Sequence, residues 1–363
     1  MKIGIVGLTN VGKSTLFTAL TKVRVPVNNY PFCTIDPNVG VVPVPDLRVE
    51  KIAQVTKPER VVYATIEFVD VAGLVRGASK GEGLGNKFLG KMREMDLLLI
   101  VLRAFPDPEV VHVEGNVDPL RDLELVLSEL ALSDLEIITR RLNYLEKVPK
   151  VTAPKLQQEI EVLQELNIFL QRGDFKALSQ YPPEIKQSLS GYGFLTLKPM
   201  IALINLSEDQ LQKEVEEQGF LVSLQERYPF IPMIRACALL EKDLWELNSQ
   251  EREEYLKETG VERSALEELI LRSYRMLNLI TFFTIQSSEV RAWSIPLGTK
   301  ALEAAGKIHS DMERGFIRVE VVRWEDLVLA GSWVQAREKG LLRSEGREYK
   351  VQDGDVLYFK FQV

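Results

Sequence analysis

Three observations predict an α/β fold with a mostly parallel sheet. Short apolar runs at 2–7, 39–44, 61–69, 97–102, 200–204 and 229–234 have the length and character of buried strands. Helical segments alternate with several of them, and strand–helix alternation is what a parallel sheet requires. The first run passes directly into Gly7-Leu8-Thr9-Asn10-Val11-Gly12-Lys13-Ser14, which fits G-x-x-x-x-G-K-[ST], and then into a short helix over 14–22.

That strand–loop–helix setting gives the motif its chemical meaning. Glycines let backbone N–H groups wrap around phosphate oxygens, and the helix N-terminus adds positive potential. Asn10, Val11, Gly12, Lys13, Ser14 and Thr15 are therefore the expected nucleotide contacts. Lys13 is expected to act catalytically by reaching the β- and γ-phosphates, and the Ser14 hydroxyl to ligate Mg²⁺. Asp70-Val71-Ala72-Gly73 closes the 61–69 run. Its carboxylate can hold Mg²⁺, directly or through water, and its glycine N–H can sense a γ-phosphate.

Between these motifs lies Asn29-Tyr30-Pro31-Phe32-Cys33-Thr34-Ile35-Asp36-Pro37. Thr34 is the candidate to complete the Mg²⁺ shell when a γ-phosphate is present, and an ordinary loop threonine is the alternative. After Gly73, the glycines at 77, 81, 83 and 85 read as a second switch, against a plain flexible loop. Many nucleotide switches carry glutamine directly after D-x-x-G to orient the attacking water; Leu74 stands there instead. An apolar side chain cannot orient water, so hydrolysis is either slow or assisted by another group, a cation or a partner.

The base-reading position is altered too. Guanine-specific switches carry Asn-Lys-x-Asp after a buried strand; here the 200–204 run ends in Asn205-Leu206-Ser207-Glu208. Leu206 replaces the lysine whose stem covers the base. Glu208 is one methylene longer than aspartate and misplaces the bidentate guanine contact. Asn205 is expected to bond adenine N6 and N7, with guanine use through Glu208 as the alternative.

Leu123, Leu127, Leu130, Ile137, Ile138, Leu142 and Leu145 recur at helical spacing, as do Leu156, Ile160, Leu163, Leu166 and Leu170 beyond a turn with Pro149 and Pro154. This predicts a helical hairpin inserted between sheet strands, its stripe serving as core or as a partner-binding arm. Residues 252–277 read as helix. From 280 onward the chain is strand-rich, with one short helix near 300–309, which predicts a small α+β domain beginning near 278. Arg314, Arg318 and Arg323 lie near Phe316 and Trp324, a pattern that serves phosphate and base contact or merely solvates the strand.

Composition narrows the function classes. The net charge is −7, residues 281–363 are charge-balanced, and the rest carries the acidic excess. No apolar run reaches the ~18–20 residues of a membrane helix, and the N-terminus is no signal peptide, so a cytoplasmic protein without membrane contact is expected. Two cysteines, Cys33 and Cys237, make no disulfide framework; two histidines, His112 and His309, are too few for a histidine metal site or a catalytic triad.

Taken with Gly81-Glu82-Gly83-Leu84-Gly85-Asn86, His112-Val113-Glu114-Gly115-Asn116-Val117-Asp118-Pro119 and Gly315-Phe316-Ile317-Arg318, these motifs resemble the Obg-like ATPase family, YchF subgroup. The resemblance implies a P-loop NTPase G domain at 1–120 and 198–278, an inserted α-helical hairpin arm at 121–197, and a C-terminal α+β TGS (ubiquitin-like) domain at 279–363. It implies ATP hydrolysis with Mg²⁺, stimulated by K⁺ that Asn10 would help to hold. It also implies association with the ribosome, through the large or small subunit, and RNA contact through the TGS domain; a monomer is expected. Cys237-Ala238 stands where switch GTPases carry a base-supporting Ser-Ala, Phe105 is placed at the border of the base pocket, and Leu74 matches the family. Competing readings are a GTPase of the same architecture, a nucleotide-dependent adaptor without significant turnover, and a small-molecule kinase. The last has no need of the Thr34 and Asp70-to-Gly73 switch pair.

Overall fold

The computed structural model describes residues 1–22, 38–71, 73, 84–147, 154–215, 218–258, 263–286 and 288–362. The described chain forms two compact units. The first holds Met1–Leu20, Asn38–Gly40 and Phe68–Glu253; the second holds Val41–Glu67 and Glu254–Val363. Residues 121–197 lie within the first unit and residues 254–278 within the second.

Twelve strands are described: β1 (Lys2–Val6), β2 (Val39–Pro43), β3 (Arg60–Val62), β4 (Thr65–Asp70), β5 (Leu97–Arg103), β6 (Met200–Asn205), β7 (Met233–Ala236), β8 (Leu279–Gln286), β9 (Glu289–Pro296), β10 (Phe316–Arg323), β11 (Arg343–Glu345) and β12 (Asp355–Phe361). The first sheet runs β2-β4-β1-β5-β6-β7, with β1, β5, β6 and β7 paired in parallel. Every residue of β5 and of β6 is buried, as expected where both faces of a parallel sheet are covered. The run expected as one strand at 61–69 is two strands in different sheets: β3 pairs with β9, and β4 lies between β2 and β1. No Gly or Pro marks the break; it falls at Tyr63-Ala64, where the Ala64 carbonyl accepts from Val44 N at 2.8 Å. The expected 229–234 strand begins only at Met233.

Asp118 caps the helix Pro119–Leu145 by accepting from Arg121 N, with proline at the position where a missing N–H costs nothing. Its partner helix is Pro154–Arg172. Ile138, Leu145, Leu163, Leu166 and Leu170 form one buried cluster with Leu178, Tyr181 and Phe194, so the stripe is core rather than an open partner face. Asp134, wholly buried, accepts from Leu195 N, Thr196 N and Thr196 Oγ1, and meets Arg93 Nη1 at 3.1 Å. Burial pushes its carboxyl up, against those hydrogen bonds and the Arg93 charge.

The second unit is a mixed sheet ordered β11-β10-β12-β8-β9-β3, packed around Phe282, Ala304, Ala305, Phe316, Val319, Val321 and Phe359. The helix Leu47–Thr56 belongs to this unit; Arg48 of that helix meets Asp353 at 2.7 Å and lies 5.3 Å from the Phe283 ring centroid. Among the described residues no helix is long and apolar enough to cross a membrane.

Candidate nucleotide site

The G-x-x-x-x-G-K-S segment turns out of β1 and enters the helix Lys13–Lys22. Two glycines are fixed by close approach. A Cβ at Gly7 would fall 2.5 Å from the Val101 carbonyl oxygen, and one at Gly12 only 2.2 Å from Asn205 Nδ2; their φ values are +152° and +96°. Asn10 holds a left-handed φ of +60°, and its side-chain amide donates to the Val111 carbonyl at 3.1 Å. These contacts fix the course of the loop.

Lys13 Nζ is folded back onto this loop, donating to Leu8 O at 2.6 Å and Gly7 O at 3.2 Å. Burial pushes the ammonium down to about 8, with nearby Asp70 partly opposing it. Ser14 Oγ donates to Asp70 Oδ2 at 3.3 Å. Burial raises the Asp70 carboxyl above its usual range, against Lys13 and the Ser14 hydroxyl. Gly73 closes the other side: a Cβ there would lie 2.8 Å from Thr9 Cγ2 and 3.3 Å from Lys13 Nζ. The structure thus brings Lys13, Ser14, Asp70 and Gly73 together, residues that the sequence separates by up to 60 positions. Thr34, Leu74 and Cys33 lie outside the described residues. No trio of His, Cys, Asp or Glu suited to a metal occurs among the described residues.

Asn205 is held from both sides. It is 4% exposed. Its Nδ2 donates to Val11 O at 3.0 Å, and its Oδ1 accepts from Ala238 N at 3.0 Å. The side chain ties the phosphate loop to the start of the helix Ala238–Leu244, with buried Cys237 at the cap position. One amide hydrogen and one Oδ1 lone pair remain beyond these two bonds. Leu206 is buried, 1% exposed. Glu208 is exposed at the first turn of Glu208–Leu211, a helix capped by Ser207 in a capping box with Gln210.

Three features went unread in the sequence. Arg103 closes β5 and holds the loop carrying Phe105 and Val111. His112 Nδ1 accepts from Glu114 N, so its Nε2 carries the proton and donates to buried Asp122 at 2.8 Å; the motif 112–119 is thereby a structural anchor. The link from Arg93 to Asp134 joins distant positions that no local pattern connects. In the second unit, the arginine cluster also differs from expectation. Phe316 is 3% exposed and part of the core, so it offers no ring to a base. Arg314 and Arg318 are exposed and Arg323 half-buried, each facing a carboxylate: Asp311, Glu320 and Glu325.

Residues 2–140 match the family described as "50S ribosome-binding GTPase", and residues 279–362 match the YchF GTPase C-terminal family, described as "Protein of unknown function (DUF933)". Proteins named ribosome-binding ATPase YchF are similar along their whole length: 44% identical in Haemophilus influenzae, over 100% of this chain and 99% of that one, and 43% in Bacillus subtilis, over 99% of each.

The chain belongs to the YchF family. A solved structure titled as the Schizosaccharomyces pombe YchF GTPase superposes with a TM-score of 0.88 at 36% identity, covering 99% of this chain and 97% of that one. The YchF names thus include both ATPase and GTPase, which puts the weight of the nucleotide question on Asn205 to Glu208.

Proposed function

We propose that this chain is an ATP-binding, ATP-hydrolysing switch with slow intrinsic turnover that associates with ribosomes. The observation that carries it is the convergence of Lys13, Ser14, Asp70 and Gly73, set beside a base loop that lacks both the lysine and the aspartate of guanine readers. The YchF relatives named ribosome-binding ATPase support the nucleotide and the partner. The reading includes a G domain with an inserted helical arm and a TGS domain, a cytoplasmic monomer, and RNA contact through the exposed arginines of the second unit.

Ser14 and Asp70 fit a hard cation: a hydroxyl and a carboxylate 3.3 Å apart, the carboxyl raised by burial and so favoured in its charged form by added positive charge. Mg²⁺ held there would neutralise developing charge on the phosphates. Lys13 supplies a fixed positive charge, and the loop N–H groups orient the triphosphate. With Asn10 Nδ2 committed to Val111, its Oδ1 is the atom left for a K⁺. Thr34 and Leu74 keep their expected roles, Thr34 on Mg²⁺ and Leu74 in place of the water-positioning glutamine.

Two results test this reading. Turnover of ATP is expected to rise when ribosomes and K⁺ are added, while a protein that binds ribosomes without any phosphate release would be an adaptor instead. Asp70→Asn is expected to raise the Mg²⁺ concentration needed for half-maximal turnover by about 10–100-fold; an unchanged Mg²⁺ titration would remove Asp70 from the metal's surroundings.

A further inference from the structure

Arg103 is 1% exposed, yet among the described residues it meets no carboxylate. Buried arginines ordinarily need a charged partner, because desolvating the guanidinium is costly. Here the cost is offset by three carbonyls of one loop: Nε donates to Phe105 O at 3.2 Å, Nη1 to Val110 O at 2.8 Å and Nη2 to Asp107 O at 3.1 Å. The guanidinium also lies 4.5 Å from the centroid of the Phe105 ring. A planar fork of donors fixed at three points sets the path of the whole 105–110 segment.

That segment touches the nucleotide site at both ends. At its start, Arg103 pairs in register with Asn205, and both Ala104 N and Phe105 N donate to the Asn205 carbonyl, at 2.9 and 3.2 Å. Gln210 of the base loop donates to Ala104 O at 3.0 Å. At its far end, Val111 O accepts from Asn10 of the phosphate loop, and His112 is anchored to Asp122. One buried side chain therefore holds the Phe105 ring against its guanidinium, fixes the Phe105 backbone next to the Asn205 carbonyl, and sets where Val111 holds Asn10.

We propose that Arg103 is a positioning residue for nucleotide recognition, setting affinity and base preference through Phe105 and Asn10 without touching the phosphates. This rests on the base-site reading of Asn205 and Phe105. Lysine at 103 keeps the charge and loses the fork, so Arg103→Lys is expected to raise KM for ATP by about tenfold, the effect of losing roughly one net hydrogen bond. The same variant narrows the gap between ATP and GTP, while kcat changes less than threefold, because Lys13, Ser14 and Asp70 are untouched. Equal losses in kcat and kcat/KM, or unchanged KM and ATP-to-GTP ratio, would overturn the proposal. Should Arg103→Lys fail to fold, Phe105→Leu retains the carbonyl bonds and removes only the ring; it is expected to narrow the ATP-to-GTP ratio, and an unchanged ratio would equally overturn it. Wild-type protein that prefers GTP would sink the ATP reading alone, since the KM shift at Arg103 is then read with GTP.

Discussion

Replacing Lys13 with methionine is expected to abolish hydrolysis and, at the same time, to stabilise the nucleotide-free protein. The first effect follows from losing the buried positive charge beside Asp70; removing one preorganised electrostatic group typically costs about 10²–10³ in kcat. The second follows from the same burial. The Lys13 ammonium sits at about 8 in the folded protein, below its ordinary 10.5, so the unfolded chain holds the proton more tightly. The resulting penalty is fully present below pH 8, fades as pH rises from about 8 to 10.5, and is absent above. Its size is roughly 3 kcal/mol at neutral pH, a few degrees in Tm. Wild-type stability should therefore rise with pH through that window, and the Met variant should not show the rise. Thermal melts of both proteins from pH 7 to 10 check this; a lower Tm for Lys13→Met at pH 7 would show that the bonds to Gly7 and Leu8 outweigh the buried charge. Triphosphate binding favours the charged amine, so wild-type affinity should also fall as pH rises through 8.

Asn205→Ala should weaken ATP and GTP together and lower stability. The amide bridges Val11 and Ala238 from a position almost without exposure, and Gly12 leaves no room for anything else against it. Truncation orphans a buried carbonyl and a buried N–H, each worth about 1–3 kcal/mol, and opens a cavity beside the phosphate loop. A loss of about 2–5 kcal/mol in unfolding free energy is expected, with both nucleotides affected alike. Calorimetric titration of the variant with each nucleotide, together with a denaturant melt, measures both quantities. Selective loss of ATP with GTP binding intact would instead make the amide a direct adenine reader.

The phosphate site was legible because its chemistry is local. Gly7 to Ser14 is one contiguous segment, and a strand before it and a helix after it are enough to shape the backbone. Asp70 and Gly73 were legible from their place at the end of a strand. What the sequence could not convey were side chains whose partners lie far along the chain. Asn205 reads as a base contact from its motif, and only the 194-residue reach to Val11 shows that its amide also braces the phosphate loop. Arg103 reads as the polar end of an apolar strand; its three carbonyl partners come from a loop with no motif of its own. Phe316 sits next to Arg314 and Arg318 in sequence, yet strand alternation sends it inward to Phe359. The division of 61–69 between two sheets depends on β9, itself missed in the sequence, for which nothing near Tyr63 gives a signal.

The central claim is that this YchF-family site is built for ATP. Its most direct test is calorimetric titration of the wild-type protein with ATP and with GTP at equal Mg²⁺. Tighter ATP binding, with the preference reduced in Arg103→Lys, is the predicted result. Tighter GTP binding would contradict it, and would mean that Glu208 performs the guanine contact despite its added methylene.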